Sequence, residues 1–371
     1  MENLVMQNLF SGIYKNKIVL VTGHTGFKGS WLVYWLTIMG AKVVGYSLEA
    51  PTTPNHIELL NLDIDSIIGD IRDLDKLNKT FEAYKPDIVF HLAAQPLVRF
   101  SYENPIETYE TNVMGTLKVF EACKKANVKA IVNITSDKAY DNKEWIWGYR
   151  ENDPMGGYDP YSSSKGCADL LANSYRNSYF NIKEYKKSHT TLLATCRAGN
   201  VIGGGDWAQD RLITDIMLSV SQNKKVSIRN PYATRPWQHV LEPLSGYLHI
   251  GQKLLEEKVE FGEAWNFGPS DEGSITVEEV VNHVKKHWDK INYEINKDEK
   301  QLHEANLLKL DCSKAHILLK WKDVWDSETT FEKTVKWYKS YYEENKNILT
   351  HNDLVNFIAD AKVKNIEWAG N

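Results

Sequence analysis

The chain has 371 residues, 42% hydrophobic and 25% charged, a composition near the globular average that excludes disorder, a collagen and a coiled-coil rod. At about 150 residues per domain, this length predicts two domains, or two and a half, with a sizeable core. Lys and Arg total 44 against 49 Asp and Glu, a formal charge of -5, so no basic excess points to nucleic acid or an acidic membrane surface as a partner.

In chain order, Met1 to Phe10 lacks the basic region, apolar core and small-residue cleavage site of an export signal, and a cytoplasmic location is expected. Lys17 to Thr22 is a short β-branched run followed at once by glycines, the pattern of a buried strand ending in a tight turn. After Gly29, apolar residues lie round most of a helix that stops at Gly40. The apolar stretch Trp31 to Ala41 falls far short of the ~20 residues that cross a bilayer, so it reads as a buried helix and no membrane partner is expected.

Strands follow at Lys42–Tyr46 and Ile67–Gly69, then a polar helix at Leu74–Tyr84 and a strand at Asp87–Leu92. A long helix is predicted over Pro105–Ala126, then a strand at Ala130–Thr135, a loop, a helix after Tyr161 and a strand at Thr191–Arg197. Strands separated by helices pair in parallel, which makes this an α/β chain with an open, doubly wound sheet of Rossmann type. Beyond Gly199 the alternation is irregular. Helices are predicted over Asp210–Gln222, Glu242–Glu256, Thr276–Trp288 and about Thr330–Tyr342, with short strands at Val226–Arg229 and Ala264–Phe267.

These later pieces are expected to form a smaller α+β substrate-binding domain against the sheet's carboxyl edge. The division is residues 14–199 plus part of 236–262 for the larger domain, 200–235 and 263–345 for the smaller one, and a tail of 346–371. The tail reads as an appended helix or a frayed end and is assigned no function. Cys123, Cys167, Cys196 and Cys312 lie far apart, which fits reduced thiols rather than disulfides or zinc. The 12 tryptophans are expected mainly in packing.

Gly23-His24-Thr25-Gly26-Phe27-Lys28-Gly29 spaces three glycines at i, i+3 and i+6 between a strand and a helix. Such a loop brings backbone N–H groups and a helix amino end close to a pyrophosphate, which points to dinucleotide binding rather than a plain turn. The GxxGxxG spacing resembles the short-chain dehydrogenase/reductase superfamily. That resemblance implies that Gly23, Thr25, Gly26, Phe27 and Gly29 hold a cofactor. It implies that Asp70 and Ile71, before Arg72, contact the adenine, and that Leu92-Ala93-Ala94 runs past the cofactor ribose, with Gln95 beside the substrate. Ser47 stands where an acidic residue often meets the ribose hydroxyls, with Glu49 two further on; no Arg is there for a 2′-phosphate, so NAD is expected rather than NADP.

Tyr161 and Lys165 are four apart, on one helical face. A cationic Lys beside a positive nicotinamide ring favours the phenolate, lowering the Tyr pKa from about 10 so that it can take a hydroxyl proton as hydride leaves carbon. Ser136 matches the superfamily's third member, which hydrogen-bonds the substrate oxygen. The next two residues, Asp137 and Lys138, add an acid and a base; loss of water needs both, whereas a simple dehydrogenase or 4-epimerase does not. A salt-bridged strand end explains that pair equally well from residue types alone. In a regular strand Asp137 would point away from Ser136 and Lys138, so the chain must leave extended geometry there for all three to meet one sugar.

VTGHTGFKGSWL (Val21–Leu32), HLAAQPLVR (His91–Arg99), TSDKAY (Thr135–Tyr140), YSSSKGCAD (Tyr161–Asp169), RAGNVIGGGDWAQDRL (Arg197–Leu212) and NPYATRPWQHVLEPLSGY (Asn230–Tyr247) together resemble the CDP-glucose 4,6-dehydratases, over about Tyr14 to Tyr342. The Asp-Lys pair is the most specific element, since the related dTDP-glucose enzymes carry Asp-Glu there and the GDP-mannose ones a Thr or Ser followed by Glu.

The resemblance implies conversion of CDP-D-glucose to CDP-4-keto-6-deoxy-D-glucose, with NAD regenerated, in deoxysugar biosynthesis such as that of lipopolysaccharide O-antigen. It implies Tyr161 as base at the C4 hydroxyl, Lys165 as its support, Lys138 as base at C5 and Asp137 as acid at C6. Lys138 must then be neutral and Asp137 protonated in the reactive state, as a coupled pair. It implies Asn200, Arg211 and Arg235 as diphosphate contacts, and a homodimer through Pro105–Ala126 and the helix carrying Tyr161. His239, Trp207 and Trp237 are expected to be structural, and Asp141–Gly157 is either a lid or a rigid loop. Other nucleotide-sugar dehydratases, 4-epimerases and a silent NAD-sensing regulator are the alternatives.

Overall fold

In the computed structural model, residues 6–228, 234–269, 274–295 and 307–370 are described. Six strands follow one another with helices between: β1 (Ile18–Thr22), β2 (Lys42–Ser47), β3 (Asp65–Ile68), β4 (Ile88–His91), β5 (Ala130–Ile134) and β6 (Leu192–Ala198). The shorter β7 (Val201–Ile202), β8 (Val226–Ile228), β9 (Thr234–Pro236), β10 (Gln238–His239), β11 (Ala264–Phe267), β12 (Ser274–Thr276) and β13 (Tyr293–Ile295) come after them.

One parallel sheet runs in the order β11-β6-β5-β4-β1-β2-β3, with Thr22 in register with both Tyr46 of β2 and His91 of β4. Both of its faces are covered, as an all-parallel sheet requires. Alternate side chains therefore enter different cores: Val19, Val21, Ile88, Phe90, Ala130 and Val132 enter one, and Leu20, Val89, Ile131 and Leu193 the other. Strand order reverses between β4 and β1, and a crevice at the carboxyl ends of such strands is where ligands bind in sheets of this kind.

The helix Phe27–Ile38 begins three residues before the run read as helical and is buried nearly all round, because chain ends cover its outer side. Trp35 packs its ring 5.9 Å from those of Phe10 and Phe357 and 5.5 Å from Trp368. Each large apolar side chain so buried contributes about 1.5–3 kcal/mol. The tail is thus an appended helix, Thr350–Val363, docked through Leu354, Phe357 and Ile358, with Trp368 closing the cluster.

The long helix expected at Pro105–Ala126 is interrupted by a π turn, Glu110–Gly115, between Pro105–Tyr109 and Thr116–Lys125. The strand Ala264–Phe267, counted with the smaller domain from sequence, instead extends the large sheet in parallel beside β6. The remaining strands form three two-stranded pairs, β7–β10, β8–β13 and β9–β12. All four cysteines are free. Ten of the twelve tryptophans are buried, leaving Trp145 and Trp147 exposed. Among the described residues no helix is long and apolar enough to cross a membrane.

Candidate active site

The glycine loop lies at the point where strand order reverses. Gly23 has φ +76°, and a Cβ there would stand 2.7 Å from the backbone N of Ala93 at the end of β4. A Cβ on Gly29 would meet the carbonyl oxygen of Gly23 at 2.1 Å, so this glycine lets helix and strand close on each other. Gly26 differs: its nearest protein atom would be 3.4 Å away, so packing within the chain does not require it to be glycine. It also caps the helix Phe27–Ile38 with no side-chain hydrogen bond and no acidic residue in the first turn. An open helix amino end without a Cβ in front of it is a cradle for an anion, and these residues fit a dinucleotide pyrophosphate.

The rest of the expected cofactor surface lines the same edge. The hydroxyls of Thr25 and Ser47 are hydrogen-bonded at 2.7 Å, and Thr25 also donates to the carbonyl of Leu48 at 3.0 Å. Asp70 is held by Arg72, whose Nη2 stands 2.6 Å from Oδ2, at an open cleft of about 500 Å³ that Leu74 also lines. Ile71 is buried against the π turn at Gly115. Leu92, Ala93 and Ala94 are part-exposed beyond β4. Thr22 pins their start: its hydroxyl accepts from Ala93 N and pairs with His91 Nδ1 at 2.7 Å.

Gln95 is placed beside this wall, with its amide bonded to Leu97 and Thr108, and its backbone N–H and carbonyl both paired with Asn112. Asn112 in turn donates to the Ser164 hydroxyl at 2.8 Å. The π turn therefore aims one amide at both walls of the crevice, in keeping with the frequent use of such turns at functional sites.

At the end of β5 the chain does leave extended geometry. Asp137–Ala139 is a single 3₁₀ turn capped by Ser136, whose hydroxyl donates to Asp137 Oδ1 at 2.9 Å and accepts from Lys138 N at 3.2 Å. This turn brings Ser136, Asp137 and Lys138 to one chamber with Tyr161. Lys138 Nζ stands 6.0 Å from the Tyr161 ring centroid, and Ser136 is near enough to the Tyr161 hydroxyl to lower its pKa. The end of β6 presses on the other side, where a Cβ on Gly199 would come within 2.9 Å of Asp137 Oδ2. Burial raises the Asp137 pKa against the pull of Lys138, Ser136 and Lys28, favouring the protonated acid.

Asp159 and Pro160 start the helix Pro160–Ser178, with Asp159 accepting from Ser162 N at 2.9 Å, so Tyr161 and Lys165 fall on its first turns. The ammonium of Lys165 points to the carbonyl of Ile134 at 3.4 Å, and burial pushes its pKa down to about 8 against the raising influence of Asp169. Tyr161 departs from expectation. Burial pushes its pKa up to about 12, with Ser136 and Arg211 pulling it back, so the polypeptide by itself does not lower it as the Tyr–Lys spacing suggests. The reason is desolvation, which at this depth outweighs the cations nearby.

Among the expected nucleotide contacts, Asn200 follows β6 and is half-buried. Arg211 pairs with Asp206 at 2.5 Å, at the mouth of the same chamber, and Asp206 holds its guanidinium firmly charged. The side chain of Arg235, in β9, lies outside the described residues. His239 is buried between Trp31 and Trp325, and Trp207 donates to Tyr342 at 3.0 Å amid the rings of Trp337, Tyr338 and Tyr341; both are structural. Trp237 is likewise buried, beside Phe331. Lys28 is the residue that motif reading passes over. It lies in the loop's first helical turn, and its charge is felt by Asp137 and opposed by Lys165 and Arg211, with burial lowering its pKa to about 8.

A glycine cradle and a Ser-Asp-Lys turn facing Tyr-x-x-x-Lys thus border one crevice, and the chain around them is similar to known proteins. The model of the family described as GDP-mannose 4,6 dehydratase matches residues 20–336. The chain belongs to this family. It is an extended short-chain dehydrogenase/reductase. A CDP-glucose 4,6-dehydratase of Salmonella typhimurium is 57% identical over 331 residues, covering 88% of this chain and 92% of that protein. Among solved structures, an epimerase of Methanothermobacter thermautotrophicus superposes with a TM-score of 0.76 at 24% identity, over 92% of this chain and 97% of that one. A UDP-glucose 4-epimerase of Brucella ovis in complex with NAD gives 0.71 at 21% identity, over 86% and 97%. These two show the same fold.

Proposed function

We propose that the chain is a CDP-glucose 4,6-dehydratase that converts CDP-D-glucose to CDP-4-keto-6-deoxy-D-glucose with NAD regenerated in each cycle. The observation that carries this reading is the turn Ser136-Asp137-Lys138 facing Tyr161, together with the extensive identity to the Salmonella protein of that name. NAD is supported by the glycine cradle and by the NAD complex of the Brucella epimerase. Gly23, Thr25, Gly26, Phe27 and Gly29 would hold it, with Ser47, Asp70, Ile71, Leu92, Ala93 and Ala94 along its length. The chemistry it supplies when bound is removal of a hydrogen and two electrons from C4 and their return at C6.

The remaining steps belong to the polypeptide. Tyr161 Oη takes the C4 hydroxyl proton while Ser136 Oγ holds that oxygen and Lys165, one helical turn along, offsets the phenolate charge. The resulting ketone acidifies the C5 proton, which Lys138 Nζ removes. Asp137, whose pKa burial raises, gives its proton to the C6 hydroxyl, which leaves as water, and Lys138 returns a proton to C5. Asn200, Arg211 and Arg235 are assigned to the diphosphate, with arginines suited to paired contacts on its oxygens. Gln95, bonded to Leu97 of its own loop and to Thr108 of the helix Pro105–Tyr109, is assigned to the sugar side of the substrate.

The two-domain division is retained with one change, the transfer of Ala264–Phe267 to the cofactor-binding unit, where it joins the sheet. A homodimer through the helices at Pro105–Lys125 and Pro160–Ser178 is supported by Ile106 and Leu170, apolar side chains 75% and 56% exposed there. The free cysteines accord with a cytoplasmic enzyme of deoxysugar biosynthesis, such as that leading to O-antigen.

The test is incubation with CDP-glucose and NAD in deuterated water. A 4-keto-6-deoxy product carrying deuterium at C5 is expected. An epimerised sugar that keeps its C6 hydroxyl would overturn the reading.

A further inference from the structure

Beneath the catalytic turn lies an ion pair that the mechanism above does not use. Arg197 of β6 and Asp169 of the tyrosine helix meet at 2.7 Å and again at 3.0 Å, with side chains 4% and 1% exposed. Burying two charges confers little net stability, so the pair calls for another account. Its remaining bonds supply one. Asp169 Oδ2 accepts from the hydroxyl of Thr135, immediately before Ser136, at 2.7 Å. Arg197 Nη1 donates to the hydroxyl of Tyr140, immediately after the turn, at 2.6 Å, and to the carbonyl of Glu151 at 2.9 Å. The Tyr140 hydroxyl in turn donates to Asn266 Oδ1 at 2.8 Å. Both ends of the segment that carries Ser136, Asp137 and Lys138 are therefore tied to one guanidinium–carboxylate pair. Asp169 also follows Lys165 by one helical turn, and its charge opposes the loss of the Lys165 proton.

We infer that Asp169 and Arg197 are positioning residues that hold the Asp137–Lys138 turn in register with Tyr161 and Lys165, joining the redox and water-loss halves of one site. This rests on the function proposed above. Asp169 is the acid that faces the Lys165 ammonium from its own helix; Tyr161 one turn before it, Lys28 of the glycine-loop helix and His91 at the end of β4, held neutral by burial, are further titratable neighbours, and Arg176 of the same helix and Cys196 of β6 face Asp169 besides Arg197.

The test compares the full-length protein with Asp169→Asn, Thr135→Val and Tyr140→Phe, supplied with NAD and CDP-glucose, measuring kcat and KM across about pH 6 to 9. Asp169→Asn is expected to lower kcat at least about tenfold with KM changed less than about twofold, and to move the alkaline limb of kcat to lower pH. The limb moves because Lys165 then loses its proton more easily. Thr135→Val and Tyr140→Phe, which keep both charges, are expected to lower kcat without moving that limb. An unmoved limb in Asp169→Asn would overturn the inference. If that variant fails to fold, wild-type kcat in both Thr135→Val and Tyr140→Phe would overturn it instead. Were the wild-type product an epimer, the function would fall, yet the limb measured on that epimerisation would still decide the role of Asp169.

Discussion

The ammonium of Lys138 and the ring of Tyr161, twenty-three positions apart in the chain, face each other at 6.0 Å. The base assigned to C5 and the base assigned to the C4 hydroxyl thus border the same space, so that one bound hexose reaches both without changing place.

Lys138→Met separates the two halves of the reaction. Oxidation at C4 depends on Tyr161, Lys165 and Ser136 and is expected to persist, seen as reduced cofactor accumulating on addition of CDP-glucose. Deuterium entry at C5 and product formation are expected to fall by about 10²–10⁴, the usual worth of a general base. Full turnover by this variant would remove Lys138 from the mechanism.

Gly26 and Gly29 should respond oppositely to the same change. Gly29→Ala drives a Cβ to 2.1 Å from the Gly23 carbonyl oxygen and is expected to cost about 1–3 kcal/mol of stability in denaturant melts. Gly26→Ala meets nothing closer than 3.4 Å and is expected to melt as the wild type does while weakening NAD binding, measured by calorimetry, at least about tenfold.

Two buried carboxyl groups away from the site make stability depend on pH. Glu242, which accepts from the backbone N–H groups of Val324 and Trp325, has its pKa raised by burial to about 8, and Asp353 is raised likewise to about 7. Both values stand above those of unfolded carboxylates, so the native chain binds more protons and stability falls as pH rises from about 4 to about 8. Asp353→Asn removes one of these titrations. Its stability is expected to match the wild type near pH 4 and to exceed it increasingly up to about pH 7, reaching a gain on the order of 4 kcal/mol, read from denaturant melts at each pH. A constant difference across that range would show that Asp353 does not titrate there.

Charge placed on the proposed dimer face should split the assembly. Ile106→Lys combined with Leu170→Glu is expected to convert a dimer into a monomer on sedimentation, because each charge would lose its water on association. A wild-type monomer would dismiss the dimer outright.

Much of this was legible in the residues. The β-branched runs between helical patterns became the sheet, and the three glycines became a turn at the strand reversal. Spacing put Tyr161 and Lys165 on one helical face. The short-range need for Ser136, Asp137 and Lys138 to share a side required a turn, and a 3₁₀ turn is there. The ionisation of Tyr161 was not legible, since residue types report the cations near a phenol but not how deeply it is buried.

By itself the sequence determined what depends on neighbours a few positions apart: periods of 2 and 3.6, caps, a glycine turn and a four-residue spacing, all set by local backbone sterics and hydrogen bonding. Only the tertiary structure decided which distant groups share a low-dielectric space. It set Arg197 against Asp169 beneath the turn, brought Lys28 to Asp137, sent Ala264–Phe267 to the sheet edge and folded Thr350–Val363 over Trp35. Those pairings follow from burial of apolar surface over the whole chain, which has no period that a stretch of sequence could display.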